Sequence, residues 1–525
     1  MFDIVIANGD VVDGQKTARY RADVGVQKGR ITAMGDLREA SCRQRVDAGG
    51  RVVAPGFIDV HTHSDGWLLK TPCLLPKILQ GYTTELLMAD GMSYAPVCQE
   101  TAPQWLFYLR GLNGLRLDEY RGWRTAADYL RQLDGRNVQN VAAHLPYANV
   151  RSLACGFGPR AADDFQARQI EHEVRRGMEE GAVGLSTGLD YIAQCHATTG
   201  ELVRACAALA PFAAPYVTHL RYRLGPVPAL REAVEIGRRA GVPVHVSHLK
   251  TSSPEVAEAW FGILEAASRD MDLTFDVYPY LPGSTLLSYF LPHEVWQHGP
   301  VAAMDRLRCP RIRRQLREGL EADDAGILEA LDRIRIAWVP GRDHGCWHGK
   351  RLREFVTQSG LPAEDALCDL LIEERLAVLC VVDEGDDTPV DAWIAHPLGM
   401  IGSDGIYFPD GAVHPRVYGT AGRILGRCVR DRRLLSLEEA VWKLSGFPAQ
   451  RFGLAGRGAV REGYAADLVV LDPATIRDQA TFDDPHRPTI GITDVLVNGV
   501  AVVRDGQPVA GLSEPLPGRF LRRGE

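Results

Sequence analysis

The 525-residue sequence contains no stretch that would mark a membrane-spanning or exported protein. It lacks any run of about 18 apolar residues, and its start, MFDIVIANGDVVDGQK, lacks the basic flank and apolar core of a signal peptide. It also lacks an excess of basic residues for nucleic acid, because its formal net charge is -8 with the signs interspersed. We therefore expect a cytoplasmic protein that binds neither membranes nor nucleic acid.

Cysteine is scarce and shows no pairing pattern. The chain has 11 cysteines, an odd number, and none forms a CxxC pair. This pattern suits reduced thiols in a reducing compartment better than a disulfide framework. The rest of the composition is that of a globular protein, and the length allows a large domain with a smaller companion.

Both ends of the chain carry short strand-like runs that are broken by glycine-bearing turns. Near the start these runs are FDIVIANGDVVDG, ADVGVQKGRITAMG and QRVDAGGRVVAPG, and near the end they are GAVREGYAADLVVLDP and GITDVLVNGVAVVRDGQPV. Such runs are typical of small antiparallel sheets. The pattern predicts one small β-sandwich domain built from residues 1–56 and 450–525.

The middle of the chain alternates apolar strand segments with helical stretches such as RQIEHEVRRGMEEG and ALREAVEIGRRAG. We predict strands in GFIDVHTH, TTELLMAD, NVAAHLP, AVGLSTG, PYVTHLR, VPVHVSHLK, LTFDVYPY and GMIGSDG. Eight βα units in a row predict an α/β fold, a (β/α)8 TIM-like barrel over residues 57–449. Because the seventh and eighth strands are too far apart for a simple crossover, residues 284–396 are predicted to be an inserted, partly helical lid.

Polar side chains stand where several of these strands end. The first strand closes on His61 and His63, and their i, i+2 spacing places both imidazoles on one face. Other strands end on Asp90, His219, His248 and Asp404. Each residue alone has an ordinary explanation, since an aspartate before glycine is common in turns. Together, four imidazoles and two carboxylates at one end of a barrel predict a site for one or two Zn²⁺ ions.

The sequence resembles the amidohydrolase superfamily and, within it, the N-acyl-D-amino-acid deacylases, also called D-aminoacylases. The motifs follow one another over nearly the whole chain: VVAPGFIDVHTHSD, GAVGLSTGLDYIAQCHATTGEL, YVTHLRYR, AGVPVHVSHLK, FDVYPYLPGST, MIGSDG, HPRVYGTAGRILG, RFGLAGRGAVREGYAADLVVLDP and GITDVLVNGVAVVRDG. The resemblance implies that His61 and His63 hold one metal ion and that His219 and His248 hold the other. It also implies that Asp404 contacts metal and moves protons.

The sequence departs from this family at three positions. Asp90 stands where the family usually has a cysteine that contacts both metal positions. A carboxylate has two oxygens that can bridge two cations, so Asp90 is predicted to be a ligand, and a bridge if two ions bind. Arg223 replaces an acidic residue of many relatives, and Tyr147 stands where relatives often show a histidine, although His144 is close by. These two changes indicate an altered substrate pocket.

The resemblance and the metal site together predict a hydrolase that cleaves the amide bond of small N-acyl amino acids, preferably of D configuration. Asp404 would take a proton from the metal-activated water and pass it to the amine leaving group. The substrate carboxylate is predicted to bind Lys250, Tyr280 and Arg416, because an arginine fork suits a carboxylate. The oligomeric state is left open, with a homo-oligomer as one possibility.

Two other functions are compatible with parts of the sequence. A hydrolase of cyclic amides, of the hydantoinase type, would use the same metal ions, but Arg416 and Lys250 favour an acyclic substrate with a carboxylate. A catalytically inactive interaction protein on the same scaffold would have lost metal ligands, whereas this chain keeps a full set.

Several other polar residues are assigned no direct role in the metal site. His344, Cys346 and His348 in DHGCWHG lie outside the strand pattern and have no fourth ligand nearby, so they are predicted to belong to the lid. His245 is predicted to be an interior or supporting imidazole. The acidic run DEGDD, residues 383–387, is predicted to be a solvated loop. Ser284 and Thr285 are predicted to be turn residues or minor substrate contacts.

Overall fold

The computed structural model describes residues 1–321 and 331–525. Residues 322–330, which belong to the predicted insertion, lie outside the described residues. The described chain combines parallel sheets in its middle with mixed and antiparallel sheets elsewhere. Within these ranges no helix combines the length and the apolar character needed to cross a membrane.

The middle of the chain forms two parallel sheets. The first has the strands Phe57–Asp59, Tyr82–Leu87 and Asn140–Ala143, with Tyr82–Leu87 in the centre. The second follows the spatial order Leu145–Pro146, Leu185–Gly188, Tyr216–His219, Val244–Val246, Leu273–Val277 and Gly399–Ile401. Each of the eight predicted strand segments overlaps at least one of these nine strands, and NVAAHLP covers both Asn140–Ala143 and Leu145–Pro146. The coarser prediction, an α/β chain with parallel sheets, is confirmed.

Hydrogen bonds connect the two parallel sheets at both of their edges. At one edge the strand Asn140–Ala143 continues through His144 into Leu145–Pro146, and Val183 N donates to Ala143 O at 2.9 Å. At the other edge Thr62 forms a parallel bridge with Gly405, and His63 N donates to Gly405 O at 3.0 Å. Strands that are neighbours in sequence are therefore also neighbours in space, as expected of successive βα units.

Helices separate most of the parallel strands, and the sequence supplies their end signals. Asp163 accepts hydrogen bonds from Phe165 N and Gln166 N, both at 2.9 Å, and so caps the helix that follows. The described α-helices are Asp65–Lys70, Leu75–Ile78, Ala102–Tyr108, Arg110–Asn113, Ala126–Arg131, Tyr147–Cys155, Asp164–Glu179, Thr199–Ala207, Pro226–Ala240, Pro254–Ala267, Pro300–Arg306, Pro310–Glu321, Leu352–Ser359, Ala363–Glu373, Val390–Ala395, Arg416–Arg423, Leu437–Val441 and Phe447–Phe452. Two π-helical segments, Ile424–Asp431 and Trp442–Gly446, extend the helices that precede them.

The two ends of the chain share one sheet. Its seven strands lie in the order Gln507–Pro508, Val500–Arg504, Ile492–Val497, Leu468–Leu471, Val52–Pro55, Asp10–Val11 and Tyr20–Arg21. A separate four-stranded sheet has the order Arg30–Gly35, Asp23–Gln27, Phe2–Ala7 and Cys42–Asp47. Buried side chains from both sheets, among them Ile6, Val24, Val53, Leu468 and Leu496, pack into one apolar cluster.

The segment between the last two parallel strands has an antiparallel sheet of its own. Its three strands lie in the order Gly283–Leu286, Leu379–Val382 and Ile334–Trp338. The sequence analysis predicted only that this insertion is partly helical, so the sheet is an addition. Pairing of Gly283 with Val382 brings the far end of the insertion back beside the seventh parallel strand.

A buried ion pair ties the first parallel strand to the segment after the last one. Lys77 Nζ donates to the Asp59 carboxylate and, at 2.7 Å, to Ser403 Oγ. Ser403 N donates to Asp59 Oδ1 at 2.8 Å. The side chains of Lys77 and Asp59 are 2% and 0% exposed, so neither charge is compensated by water. Removal of either partner would leave a buried charge unpaired.

We expect Lys77→Met to lower the free energy of unfolding by about 3–5 kcal/mol, because Asp59 would stay buried without its cation. Urea denaturation in the presence of a chelator measures this change without a contribution from bound metal ions. Lys350→Met, which removes an exposed lysine, should stay within about 0.5 kcal/mol of the unmodified chain. Equal losses in the two variants would contradict a structural role for the buried pair.

Candidate metal centre and adjoining cavity

The structure brings the six predicted metal ligands together at the ends of the parallel strands. Their donor atoms form three overlapping trios in which the atoms lie within 4.8 Å of one another. The trios are His61, His248 and Asp404, then His61, His63 and Asp90, then Asp90, His219 and His248. Because parallel strands present their carboxyl ends at one face, residues that are distant in sequence meet there.

Asp90 lies between the histidines of the two predicted metal positions. Its Oδ1 is 3.5 Å from His61 Nε2 and 3.8 Å from His248 Nε2, whereas its Oδ2 is 3.6 Å from His63 Nε2. Burial raises the pKa of Asp90, but His61 and His248 outweigh burial and hold that pKa well below its ordinary value. Asp90 is therefore an ionised carboxylate whose two oxygens face different partners.

Asp404 is held between histidines and an arginine. Its Oδ1 lies 3.2 Å from His63 Nε2, and its Oδ2 lies 3.0 Å from Arg416 Nη2. Burial raises the pKa of Asp404, but Arg416 and His61 outweigh burial, so the pKa lies well below its ordinary value. The guanidinium of Arg416 is 0% exposed and stacks 4.4 Å from the centre of the Tyr278 ring.

The donor cluster fits a metal ion on two grounds. His61 Nε2 and Asp90 Oδ1 are buried and have no hydrogen-bond partner among the described residues, an arrangement that costs about 1–3 kcal/mol for each atom. His219 faces the cluster with Nδ1, which lies 3.0 Å from His248 Nε2, whereas its Nε2 faces Asp190. The nitrogen–oxygen separations of 3.2–3.8 Å around Asp90 and Asp404 exceed most hydrogen bonds. They match the spacing of about 3.3 Å between ligand atoms that surround one tetrahedral zinc ion.

Three of these donor residues have a left-handed backbone conformation. Asp90, His248 and Asp404 have φ angles of 53°, 38° and 48°, a region that residues other than glycine rarely adopt. Such conformations cost on the order of 1–3 kcal/mol each and persist only where the surroundings enforce them. Their clustering at this one place indicates a functional constraint on the backbone.

Asp276, which the sequence analysis did not identify, supports two of the histidines. Its Oδ1 accepts a hydrogen bond from His248 N at 3.0 Å, and its Oδ2 lies 3.7 Å from His61 Nδ1. The same Oδ2 is 2.9 Å from His245 Nε2, and His245 Nδ1 is 2.8 Å from Thr274 Oγ1. His245 thus has an interior role, as predicted. A carboxylate inside the apolar strand Leu273–Val277 was the available sequence signal for Asp276.

A cavity of about 300 Å³ adjoins the donor cluster. It is lined by His63, Asp90, Leu112, Tyr191, His219, Tyr222, His248, Lys250, Tyr278, Gly283, Ser284, Thr285, Tyr289, Phe290, Val382, Glu384 and Asp404. Lys250 Nζ donates to Leu281 O at 2.5 Å and lies 3.5 Å from Glu384 Oε2. Burial lowers the pKa of Lys250, but Tyr278 and Glu384 more than offset burial and raise it, so this side chain is a cation.

The structure does not bring Tyr280 to the cavity and places Tyr278 there instead. The Tyr280 hydroxyl donates to Asp478 Oδ2 at 3.3 Å, and the Arg423 guanidinium packs 4.5 Å from the Tyr280 ring centre. After the strand ends at Val277 the chain turns, with Tyr280 N donating to Tyr278 O at 2.9 Å. Strand alternation therefore no longer predicts which tyrosine faces the site.

The other residues singled out in the sequence have mixed outcomes. Ser284 and Thr285 line the cavity. Tyr147 lies elsewhere, because its hydroxyl donates to Glu201 Oε1 at 2.5 Å. Arg223 is not among the lining residues, although it contacts the backbone of the insertion beside Tyr289.

The DHGCWHG segment has protein partners of its own. His344 Nδ1 is 2.5 Å from Glu374 Oε1, and His348 Nε2 accepts a hydrogen bond from Val339 N at 3.1 Å. Neither histidine belongs to the donor trios found among the described residues. These contacts agree with the prediction that the segment belongs to the insertion rather than to a second zinc site.

Comparison with known proteins places the chain in a family. The model of the amidohydrolase family matches residues 44–319 and 343–510. The chain belongs to the amidohydrolase family. This amidohydrolase is 36% identical over 506 residues to D-aminoacylase from Alcaligenes xylosoxydans xylosoxydans, covering 95% of this chain and 94% of the relative.

Two further relatives from the same organism differ in their named substrates. The amidohydrolase is 33% identical over 529 residues to N-acyl-D-aspartate deacylase, covering 100% of this chain and 95% of the relative. It is 34% identical over 533 residues to N-acyl-D-glutamate deacylase, covering 99% of this chain and 96% of the relative. The resemblance to N-acyl-D-amino-acid deacylases that the motifs indicated is thereby confirmed.

Solved structures resemble the amidohydrolase along its whole length. A crystal structure of D-aminoacylase matches with a TM-score of 0.81 at 34% identity, covering 100% of both chains. A second match is N-acyl-D-glutamate deacylase from Bordetella bronchiseptica, complexed with zinc and a phosphonate mimic of the tetrahedral intermediate. Its TM-score is 0.83 at 32% identity, covering 99% of both chains. D-hydantoinase, at a TM-score of 0.57 and 16% identity over 99% of both chains, shares the fold alone.

We expect the purified amidohydrolase to bind divalent transition-metal ions and Asp90→Ala to weaken that binding at least about tenfold, because Asp90 faces two groups of histidines. Calorimetric titration of the metal-free protein and elemental analysis measure this change. The matched control is Asp270→Ala, whose side chain is 59% exposed and lies in a surface ion pair with Arg238. If Asp90→Ala kept the metal content and affinity of the control, Asp90 would be an ordinary turn residue.

Proposed function

We propose that this chain is a zinc-dependent amidohydrolase that cleaves the amide bond of N-acyl-D-amino acids. One observation carries the proposal: the buried donor cluster lies beside a cavity that also presents the cation Lys250. The cluster suits a metal ion, and the lysine suits the free carboxylate of an amino acid. The relatives named D-aminoacylase and N-acyl-D-aspartate or D-glutamate deacylase support the D configuration.

The proposed scaffold is a closed (β/α)8 barrel over residues 57–449. The hydrogen bonds that join the two parallel sheets at both edges support closure. We assign residues 1–56 and 450–525 to a small β-sandwich domain, because strands from both segments share a sheet. We assign residues 284–396 to a lid, because this insertion supplies several residues of the cavity wall.

We assign six ligands to one or two Zn²⁺ ions: His61, His63, Asp90, His219, His248 and Asp404. The overlap of the donor trios supports two neighbouring positions. Asp90 would bridge two ions, because its Oδ1 faces His61 and His248 whereas its Oδ2 faces His63. When bound, Zn²⁺ supplies a Lewis acid for the substrate carbonyl and lowers the pKa of water toward about 7. The relatives of known structure support zinc, since one was solved with zinc bound.

Asp404 is the proposed proton carrier. It lines the cavity, and its contact with Arg416 holds one oxygen in place while the other faces the histidines. As an ionised carboxylate it can accept a proton from the attacking water and then donate that proton to the amine nitrogen while the C–N bond breaks. Both transfers use one carboxylate that the arginine keeps in a fixed orientation.

Lys250 and Arg416 are the proposed partners of the substrate carboxylate. Their cationic groups lie 4.8 Å and 4.4 Å from the centre of the Tyr278 ring, so this ring sets their relative positions. Arg416 Nε and Nη1 are buried and have no hydrogen-bond partner among the described residues. Arg416 is not among the residues that line the cavity, and its Nη2 is already held by Asp404. A substrate carboxylate that enters beside Tyr278 would therefore meet Nε or Nη1 through a single charge-assisted hydrogen bond.

We also place the protein in the cytoplasm, where it would act on a small-molecule substrate. All 11 cysteines are free thiols, which suits a reducing compartment. Assembly into a homo-oligomer stays a prediction from the sequence.

We expect the zinc-loaded protein to hydrolyse N-acetyl-D-amino acids at least about tenfold faster than their L enantiomers, and a chelator to abolish the reaction. Release of the free amino acid measures the rate for both enantiomers, and formation of the ring-opened N-carbamoyl acid measures it for a hydantoin and a dihydropyrimidine. Hydrolysis of the cyclic amides alone would assign the site to a hydantoinase-type reaction. Absence of turnover for every substrate by metal-loaded protein would favour a catalytically inactive member of the family.

We expect Asp404→Asn to lower kcat by about 10²–10⁴-fold, because the variant cannot carry the proton between water and leaving group. Elemental analysis of the same sample shows whether the loss comes with a loss of metal. Asp270→Asn makes the same chemical change at the surface and should keep the kcat of the unmodified enzyme. A fully active Asp404→Asn enzyme would remove Asp404 from the proposed proton path.

We expect Tyr278→Leu to raise KM for N-acetyl-D-methionine about tenfold, equivalent to about 1.4 kcal/mol, because the ring positions Lys250 and Arg416. Tyr280→Leu removes an equally buried ring that contacts Asp478 and Arg423, and it should change KM less than about threefold. Steady-state kinetics, with circular dichroism as a check on folding, compare the two variants. A larger KM effect at Tyr280 would restore the assignment made from the sequence.

A further inference from the structure

The relatives leave open which amino-acid side chain this enzyme accepts. Their names give D-aminoacylase, N-acyl-D-aspartate deacylase and N-acyl-D-glutamate deacylase, and the three are nearly equally similar to this chain. Two of these substrates carry a second carboxylate on the side chain. The charges of the residues that line the cavity therefore indicate which substrate side chain is accepted better than overall sequence similarity does.

The cavity wall outside the donor residues is largely apolar and aromatic. It is formed by Leu112, Tyr191, Tyr222, Tyr289, Phe290 and Val382. Tyr191 and Tyr289 pack with their ring centres 5.4 Å apart, and Tyr289 packs at 5.6 Å against Phe290. A wall of this kind suits an uncharged side chain and offers no cation to a carboxylate.

Glu384 adds a negative charge to this wall. Among the described lining residues outside the donor cluster, Lys250 and Glu384 are the charged ones. Lys250 already faces Glu384 at 3.5 Å and is the proposed partner of the α-carboxylate. Glu384 is 38% exposed and thus reaches solvent at the mouth of the cavity. A second carboxylate on the substrate would meet Glu384 without a cation of its own.

Arg416 is the proposed partner of the α-carboxylate together with Lys250, and the described residue Arg223 does not line the cavity. Arg223 donates from Nη2 to Tyr289 O at 2.9 Å and to Leu291 O at 3.1 Å, so its guanidinium is tied to the backbone of the insertion. The sequence of residues 322–330, ADDAGILEA, contains neither lysine nor arginine. The segment outside the described residues therefore brings no basic side chain to the cavity.

We infer that this enzyme selects N-acyl-D-amino acids with uncharged side chains and that Glu384 is a specificity-determining residue that rejects substrates with a second carboxylate. The inference rests on the proposed function. Repulsion between like charges in a partly desolvated site is strong enough for discrimination on the order of 100-fold. The residue acts on the choice of substrate and takes no part in the bond-breaking step.

The test compares kcat/KM for N-acetyl-D-glutamine and N-acetyl-D-glutamate, which have nearly the same shape and differ in charge, with N-acetyl-D-methionine as a third substrate. We expect the unmodified enzyme to prefer the glutamine and methionine derivatives over the glutamate derivative by about 100-fold. Glu384→Gln should reduce that glutamine-to-glutamate ratio about tenfold. Because a ratio is measured, a general loss of activity in the variant does not affect the result.

Asp386→Asn is the matched control, since Asp386 is exposed, lies two residues away on the same loop and does not line the cavity. It should leave the substrate ratio unchanged. A ratio near one in the unmodified enzyme, a preference for the glutamate derivative, or equal ratios in Glu384→Gln and Asp386→Asn would overturn the inference while leaving the deacylase assignment intact. Failure of all three substrates with metal-loaded enzyme would overturn both.

Discussion

The rest of this structure depends on two carboxylates that are buried among four imidazoles. Asp90 and Asp404 are 4% and 6% exposed, and an ionised carboxylate in such surroundings costs several kcal/mol unless cations compensate it. Arg416 compensates the negative charge of Asp404. Unpaired histidine and aspartate atoms remain in the cluster, and a bound metal ion would supply the rest of the positive charge. This need for compensating positive charge explains the strained turns at the strand ends, the hydrogen bonds that Asp276 accepts from the histidines and the position of the adjoining cavity.

The structure separates the parts that perform the reaction from those that choose the substrate. The donor cluster stands at or just beyond the carboxyl ends of parallel strands that are hydrogen-bonded to their neighbours. The lining residues between Ser284 and Glu384 belong to the insertion, which has its own small sheet. Changes in the insertion can thus alter specificity without moving the donor atoms, a division typical of enzymes built on parallel strands.

The sequence predicted the features that depend on local periodicity and on strand ends. Alternation of strands and helices located each parallel strand, and the polar residues that follow them, such as His219 and Asp404, do meet. Features that depend on how the chain continues beyond a strand were not predictable. Strand alternation does not predict which of Tyr278 and Tyr280 faces the cavity, because the chain turns after Val277. Glu384 was predicted to lie in a solvated acidic loop, whereas the fold of the insertion places it beside Lys250.

The shared seven-stranded sheet has a consequence for how the protein is made. The strand Val52–Pro55 pairs with Leu468–Leu471, a partner more than 400 residues later in the chain. While the ribosome is still synthesising the middle of the protein, the early strand has an open edge and apolar side chains such as Val53 are uncovered. The central strands and helices emerge before that partner, so the edge of Val52–Pro55 that pairs with Leu468–Leu471 must remain open until the last sixty or so residues emerge and complete the sheet.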